Sequence, residues 1–316
     1  MQKGTEAGYQ AEVLKFEELM MGSVSKELRN LFFAMTDKKK NPWKEHSQDL
    51  RTLGLLGAGF MGSGIAEVTL DKGIDIVLKD LNPATIQTAK KTLWKALSKQ
   101  VKRKSLSKVE AKNAIAAVKG QVDYKDFETI DVLVEAVFED MAMKQKILAE
   151  VEQFTKEDFI FATNTSALSI QEIGKFAKHP ENVIGLHYFS PVSKMPLLEI
   201  VKTPATSLST IATCFDLGLK QGKTTIVVND GPGFYVNRIL APYLNEAMLL
   251  LEEGADIIKV DRIMKRYGFP VGPFALMDEV GIDVGAHVMT GDLAEMFKKR
   301  EGAVMSKGLI LMNQAG

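Results

Sequence analysis

A glycine-rich turn at residues 57–62 constrains the fold of this chain more than any other feature. Gly57, Gly59 and Gly62 are spaced as G-x-G-x-x-G, directly after an apolar run at 53–56 and before an apolar segment that suits a helix packed on a sheet. The first glycine of such a turn permits a tight bend, the second lets the backbone approach a pyrophosphate, and the third allows close helix–strand packing. The helix N-terminus then offers free N–H groups to phosphate oxygens.

The residues that follow distinguish a dinucleotide-binding unit from an incidental glycine-rich turn. A second strand-like run at 74–78 ends at Lys79 and Asp80, about 20 residues beyond the last glycine of the motif. A carboxylate at this place bonds the ribose hydroxyls of adenosine. Asp80 would also repel a 2′-phosphate, so the pattern favours NAD over NADP, although the neighbouring Lys79 works against that preference.

The composition is that of a folded and electrically neutral chain. Hydrophobic residues make up 46% of the 316 residues, and Lys+Arg equals Asp+Glu at 40 each. The length predicts about two domains, and the neutral charge argues against a general nucleic-acid or membrane-surface binder. Cys214 is the only cysteine, which excludes a disulfide framework and a cysteine-based metal site, and we expect no metal. We expect no transmembrane segment, because no apolar run is long enough, and the first residues match neither a signal peptide nor a transit peptide.

The hydrophobic pattern divides the chain into three regions. Residues 1–50 are predicted to form a helical lead-in and a charged linker, and the apolar face of the lead-in needs a partner. Residues 51–229 alternate between strand-like and helix-like segments, which predicts an α/β domain with a doubly wound, mostly parallel sheet and helices on both faces. Residues 230–316 are predicted to form a smaller all-α domain, with helices over 235–253, 256–267 and 274–300.

His187 is the strongest candidate for acid–base chemistry. It ends a strand-like run, and ligands of open α/β sheets bind outside the carboxyl ends of strands. Glu199 lies in the next strand-like run, so a strand–loop–strand connection would return its carboxylate to the imidazole, fix the tautomer and stabilise the imidazolium. A histidine at the end of a strand is more often a hydrogen-bonded structural residue, so that interpretation stays open beside the functional one. His46, His179 and His287 are expected to have structural roles only.

Three further groups of polar residues have both a functional and an ordinary structural interpretation. Residues 164–166 (Asn-Thr-Ser) follow a strand-like run and either contact a ligand oxygen or cap a helix, with Ser169 competing for the cap. Glu139 and Lys144 bracket a helix start and either line a site or lie on the surface. The lysine-rich segment 90–108 is either a solvated face or a patch for a phosphorylated ligand.

Seven separated segments together resemble the L-3-hydroxyacyl-CoA dehydrogenase family, most closely the dehydrogenase region of mitochondrial trifunctional enzyme α subunits. The matches cover about residues 50 to 290, and the lead-in resembles the linker that follows the hydratase domain of those α subunits. The segments are GAGFMGSGIA (57–66), VEAVFED (134–140), NTSALSI (164–170), GLHYFSPV (185–192), LLEI (197–200), DGPGFYVNR (230–238) and GFPVGPFALMDEVGID (268–283).

The resemblance implies a role for each matching site residue. His187 would be the catalytic base with Glu199 as its partner, and Ser166 and Asn237 would bind the substrate oxygen and help to orient it. The CoA phosphates would meet Lys102, Arg103 and Lys104, with Arg103 replacing a lysine of the family. The residues implied to hold NAD are Gly57, Ala58, Gly59, Phe60, Met61, Gly62, Asp80, Glu139, Lys144, Ser166 and Ser190, the last of which is asparagine in single-function relatives.

The implied reaction is NAD-dependent oxidation of an L-3-hydroxyacyl-CoA to the 3-ketoacyl-CoA in mitochondrial fatty-acid β-oxidation. The hydratase domain is missing, and the sequence departs from the family after residue 308, so we expect a truncated helical domain and exposed apolar ends. Such ends predict self-association or a partner in a β-oxidation complex. Two alternatives stay open, a catalytically weak scaffold or pseudoenzyme subunit and a relative that acts on a small hydroxy acid without CoA. The basic residues 102–104 argue against the second.

Overall fold

An eight-stranded sheet forms the centre of the computed structural model, which describes residues 4–288 and 292–315. The strand order in this part of the chain is β3-β2-β1-β4-β5-β6-β7-β8. The strands are β1 (Thr52–Leu56), β2 (Asp75–Lys79), β3 (Val118–Gln121), β4 (Val132–Glu135), β5 (Ile160–Thr163), β6 (Val183–Tyr188), β7 (Leu197–Lys202) and β8 (Thr224–Asn229).

Two features of the sheet topology position the candidate site. Strand β1 lies between β2 and β4, and the chain order reverses there, so the glycine-rich turn after β1 opens into the crevice where α/β sheets bind ligands. All neighbouring strands are parallel except β6 and β7, whose antiparallel register sets His187 directly opposite Glu199. The mostly parallel, doubly wound sheet predicted from the sequence is confirmed.

The lead-in is helical, as predicted, but it is divided into α1 (Thr5–Met21) and α2 (Ser23–Asp37) by Gly22. Neither helix contains a buried residue, so their apolar side chains do not pack on the domain behind them. The largest exposed ones are Tyr9, Val13, Leu14, Phe16, Leu19, Met20, Met21, Val24, Leu28, Leu31, Phe32, Phe33 and Met35.

Six helices cover the two faces of the sheet, and five of them, all except α3, begin with a side-chain cap. Helix α4 begins after Asn82, whose side chain accepts the Ala84 N–H, and α5 begins with a capping box between Ser107 and Glu110. One hydrophobic cluster lies on each face of the sheet. The helices are α3 (Phe60–Thr69), α4 (Pro83–Lys102), α5 (Lys108–Ala116), α6 (Met141–Val151), α7 (Ile170–Ile173) and α8 (Leu208–Lys220).

The linker before β1 is attached to α8 through Asp216. This carboxylate accepts hydrogen bonds from Asn41 Nδ2 at 2.8 Å, Lys44 Nζ at 2.5 Å and Ser47 Oγ at 2.6 Å. Partial burial acts to raise the pKa of Asp216, but these hydrogen bonds outweigh it and hold the pKa below its usual value. Asp216 therefore stabilises the linker as an ionised group.

The C-terminal region is helical, as predicted, but its long last helix is not continuous. The helix predicted over 274–300 is wrong because α11 ends before Gly281, whose φ of 104° leaves the helical region. Leu309 packs with Ala247 and Met248 in a small separate core. The helices are α9 (Val236–Glu252), α10 (Ile257–Tyr267), α11 (Pro273–Val280), α12 (Ile282–Val288), α13 (Asp292–Lys298) and α14 (Gly308–Ala315). None of the helices described in 4–288 and 292–315 is both long and apolar enough to cross a bilayer.

Candidate active site

The glycine-rich turn has the shape of a phosphate cradle. Gly57 has a φ of 93°, which favours glycine, and a Cβ at Gly62 would lie 1.8 Å from Gly57 O. A Cβ at Gly59 would meet nothing within 4 Å, so the space above the turn is open. Gly59 precedes α3 without a side-chain cap, and the first N–H groups of this helix, which starts at Phe60, are free to bind a pyrophosphate.

Asp80 is held beside this turn at the end of β2. Its Oδ2 accepts the Ala58 N–H at 2.8 Å, and its Oδ1 accepts the Asn82 N–H at 2.9 Å. The ammonium of Lys79 lies 4.4 Å from the centre of the Tyr124 ring and forms a cation–π contact with it. The Asp80 carboxylate is therefore placed beside the turn, where it could meet the ribose of a dinucleotide. Lys79, whose charge argued against a preference for NAD, packs against the Tyr124 ring instead.

A buried ion pair joins α6 to the end of β4, and the sequence predicted only one of its two residues. Lys144 is 1% exposed, so the surface interpretation of this residue is wrong. Its Nζ donates to both oxygens of Glu135 at 2.8 and 2.9 Å and lies 3.3 Å from Glu139 Oε2. Glu135 was not predicted as a site residue because it ends an apolar strand. Only the sheet register, which places Thr163 beside it, would have indicated its polar surroundings.

Glu139 connects this pair to the loop after β5. Its Oε1 accepts Thr165 Oγ1 at 2.6 Å, Ser166 N at 2.9 Å and Ser166 Oγ at 3.3 Å. Burial acts to raise the pKa of Glu139, but the Thr165 hydrogen bond and the Lys144 charge outweigh it and lower the pKa. An ionised carboxylate therefore orients the Ser166 loop.

Asn237 joins the same loop from the helical domain. Its Nδ2 donates to Ser166 O at 3.0 Å, so α9 and the loop after β5 are in direct contact. Ser166 does not cap the following helix. The cap of α7 is Ser169, whose hydroxyl accepts the Glu172 N–H. Asn164 has a structural contact, since its Oδ1 accepts the N–H of Tyr188.

His187 and Glu199 form a buried hydrogen-bonded pair. His187 Nδ1 lies 2.6 Å from Glu199 Oε2, with exposures of 6% and 0%. A carboxylate only accepts hydrogen bonds, so Nδ1 carries a proton, and in the neutral imidazole the lone pair is then on Nε2. The other carboxylate oxygen accepts the N–H groups of Tyr235 at 3.1 Å and Val236 at 2.9 Å. The arrangement is that of a general base with an oriented tautomer.

The basic residues at the end of α4 remain separate from this cluster. Lys102, Arg103 and Lys104 are exposed, and none of the three forms an ion pair with another residue of the described chain. An open groove of about 410 Å³ beside them is lined by Lys104, Ser105 and Lys108, among others. Their contact with a phosphorylated ligand stays a prediction.

The remaining predicted residues lie in ordinary surroundings. Ser190 is exposed just after β6, and the loop that follows it is fixed by buried Lys223, whose ammonium donates to the carbonyls of Val192 and, at 2.8 Å, Met195. This lysine was not predicted from the sequence. His46 is exposed beside Glu45, His179 bonds Glu181, and the side chain of His287 is outside the described residues. No group of acidic, histidine or cysteine residues suits a metal ion within the ranges that the structure covers.

Comparisons with known proteins match both parts of the chain to one family. Residues 52–231 match the sequence family described as 3-hydroxyacyl-CoA dehydrogenase, NAD binding domain, and residues 233–316 match its C-terminal domain. The chain is 34% identical to (S)-3-hydroxybutyryl-CoA dehydrogenase from Ralstonia eutropha, with a TM-score of 0.80 over 85% of this chain and 95% of that one. The 3-hydroxybutyryl-CoA dehydrogenase of Escherichia coli is 30% identical, with a TM-score of 0.80 over 85% of this chain and 57% of that one. The dehydrogenase part of multifunctional enzyme 1 from C. elegans is 27% identical, with a TM-score of 0.56 over 85% and 60%.

Proposed function

This chain belongs to the 3-hydroxyacyl-CoA dehydrogenase family and is an NAD-dependent oxidoreductase of that type, and from this we propose that it oxidises L-3-hydroxyacyl-CoA thioesters to 3-ketoacyl-CoA in fatty-acid β-oxidation. The observation that carries the proposal is the buried pair of His187 and Glu199, connected through neighbouring residues of α9 to the Ser166 loop.

His187 acts as the base that removes the hydroxyl proton. Its Nε2 takes the proton from the 3-hydroxyl, and Glu199 holds the Nδ1–H and stabilises the imidazolium that forms. Ser166 and Asn237 orient the substrate oxygen toward His187. Bound NAD would supply the acceptor for the hydride that leaves C3.

The chain supplies the contacts that orient the two ligands. The N–H groups of the glycine-rich turn and of α3 hold the pyrophosphate, and Asp80 holds the adenosine ribose. We expect Glu139, Lys144, Ser166 and Ser190 to serve the nicotinamide end, with buried Lys144 acting through its ion pair with Glu139. The positive charges at 102–104 bind the CoA phosphates, and they favour a CoA thioester over a free hydroxy acid.

A partner is also proposed, because α1 and α2 expose large apolar side chains along their whole length. Large apolar side chains exposed in this number are typical of a surface that a partner covers. The occupant is a second copy of this chain or another protein of a β-oxidation complex, and the compartment proposed for both is the mitochondrion.

An assay of NADH formation tests the reaction. The purified chain is mixed with NAD and a 3-hydroxyacyl-CoA, with His187→Gln as the control for background reduction. We expect turnover by the wild type and a loss of about 100-fold or more in the variant, the scale of a general base. Equal rates for the two proteins would reject the mechanism, absence of turnover despite NAD binding would support a scaffold, and equal use of free 3-hydroxybutyrate would support the hydroxy-acid alternative.

A further inference from the structure

The turn before α9 contains a bulky residue in an unusual backbone conformation. Phe234 has a φ of 50° and is 4% exposed, and the preceding Gly233 has a φ of 71°. The left-handed region is a genuine outlier for a bulky side chain, and residues held there cluster at functional sites. The Phe234 N–H donates to Gly231 O at 3.0 Å, which closes the turn.

The Phe234 side chain contacts the imidazole of His187. The two ring centres are 5.6 Å apart and the ring planes meet at 63°, an edge-on arrangement. The ring of Phe189 lies 4.4 Å from the same imidazole. The imidazole is therefore bounded by two aromatic rings as well as by its hydrogen bond to Glu199, and these contacts restrict its rotation.

The backbone of the same turn fixes the other half of the pair. The two residues after Phe234, Tyr235 and Val236, donate their N–H groups to Glu199 Oε1, while Glu199 Oε2 holds His187. These N–H groups lie at the N-terminus of a helix of 17 residues, where the helix dipole attracts negative charge. The left-handed φ of Phe234 sets the direction in which the chain enters this helix.

We propose that Phe234 is a positioning residue that orients both members of the His187–Glu199 pair, an inference that rests on the proposed function of that pair. A glycine would adopt this backbone without steric cost. Phenylalanine adds an aromatic ring that packs against the imidazole of His187. The same residue directly precedes the two N–H groups that bind Glu199. The strained residue thus couples the helical domain to the proton-accepting nitrogen of the sheet domain.

A pair of matched substitutions tests this role. Phe234→Leu removes the ring but keeps a buried apolar side chain, and Phe161→Leu makes the same change in the same hydrophobic cluster on β5. The readouts are kcat and KM for 3-hydroxyacyl-CoA oxidation and the low-field proton resonance of the His187 Nδ1–H in the full chain. We expect Phe234→Leu to lower kcat roughly 10- to 100-fold, the scale of a misplaced catalytic group, with little change in KM for NAD, and to broaden or lose that resonance. Phe161→Leu is expected to change neither.

Each outcome bears on the inference separately from the proposed function. Equal kcat and equal resonance in the two variants would overturn it, and so would a lower kcat with an intact resonance, since the ring would then act on substrate rather than on the pair. If Phe234→Leu does not fold, Phe234→Met gives the same comparison with a more adaptable side chain. If the wild type shows no turnover, the proposed function fails, while the resonance still reports whether Phe234 orients the pair.

Discussion

The substitution Glu199→Gln tests how the imidazole is oriented, because it changes one charge and almost no volume. Glu199 accepts three hydrogen bonds on two oxygens, one from His187 and two from the backbone N–H groups of Tyr235 and Val236. A glutamine has one oxygen and one NH2 group. Whichever way the amide turns, its NH2 group faces an N–H donor or forces His187 into the tautomer with the proton on Nε2.

The expected magnitude follows from these contacts. A hydrogen bond to a charged group contributes about 1.5–3 kcal/mol, which corresponds to roughly 10- to 150-fold in rate at about 1.36 kcal/mol per tenfold. The wrong tautomer removes the lone pair from Nε2 and adds to this loss. We therefore expect Glu199→Gln to lower kcat by about 100-fold or more, and to lower the free energy of unfolding by about 1–3 kcal/mol because a buried donor loses its acceptor.

Asp131 provides a matched control at a distance from His187. Its Oδ2 accepts the N–H groups of Arg51 and Thr52, and its Oδ1 accepts Lys156 Nζ at 2.6 Å, so Asp131→Asn also removes a charge from a carboxylate that holds two backbone donors. Initial rates of NADH formation and urea unfolding are measured for both variants. Asp131→Asn should lose stability and keep kcat. A Glu199→Gln enzyme with the kcat of the Asp131→Asn enzyme would refute the role given to Glu199.

Three further predictions concern the cofactor, the substrate and the linker. Asp80→Ala should weaken NAD binding and reduce the difference in affinity between NAD and NADP, as measured by titration with each cofactor. A wild type that binds NADP as tightly as NAD would contradict this. Changing Lys102, Arg103 and Lys104 together to alanine should raise KM for the CoA substrate but not for an analogue without the nucleotide, whereas a solvated surface predicts no change in either. Asp216→Asn should lower the free energy of unfolding by about 1–2 kcal/mol at pH 7. The pKa of Asp216 in the folded protein lies below its unfolded value of about 3.9, so the stabilisation is present above that pH and is lost as the pH falls through the folded pKa. The melting temperatures of the wild type and the variant should therefore converge in acid. Asp49→Asn, which breaks only an exposed pair with Arg51, should leave the melting curve unchanged.

The sequence predicted most of the sheet because buried parallel strands read as apolar runs. Strand β3 was not predicted, since Val118 is its only buried residue and the other three are polar or glycine. The break at Gly281 was also not predicted, because one glycine in a helical pattern does not reveal its φ. The two differences have separate causes: too little of β3 is buried to give an apolar run, whereas the break at Gly281 depends on a backbone angle that a local pattern does not record.

The candidate site was predictable only in part. Residues were predicted where the sequence indicated their partner, and were missed where the partner comes from a distant element. His187 and Glu199 were predicted to meet because a strand–loop–strand connection brings the two strands together, and the antiparallel register does so. Glu135 and Lys223 were not predicted, because the partners that bury them come from other strands and loops. A single sequence shows which side chains are polar, whereas their burial depends on which elements become neighbours.

Two consecutive residues of α9 connect the helical domain to both halves of the site. The Val236 N–H binds the carboxylate that orients His187, and the Asn237 side chain binds the carbonyl of Ser166, whose loop is held by Glu139. A shift of α9 would therefore move the base and the substrate-binding loop together, not one of them alone. Because Phe234 fixes the entry into this helix, the sheet domain and the helical domain are required jointly for the proton-transfer geometry, and neither contains the complete site.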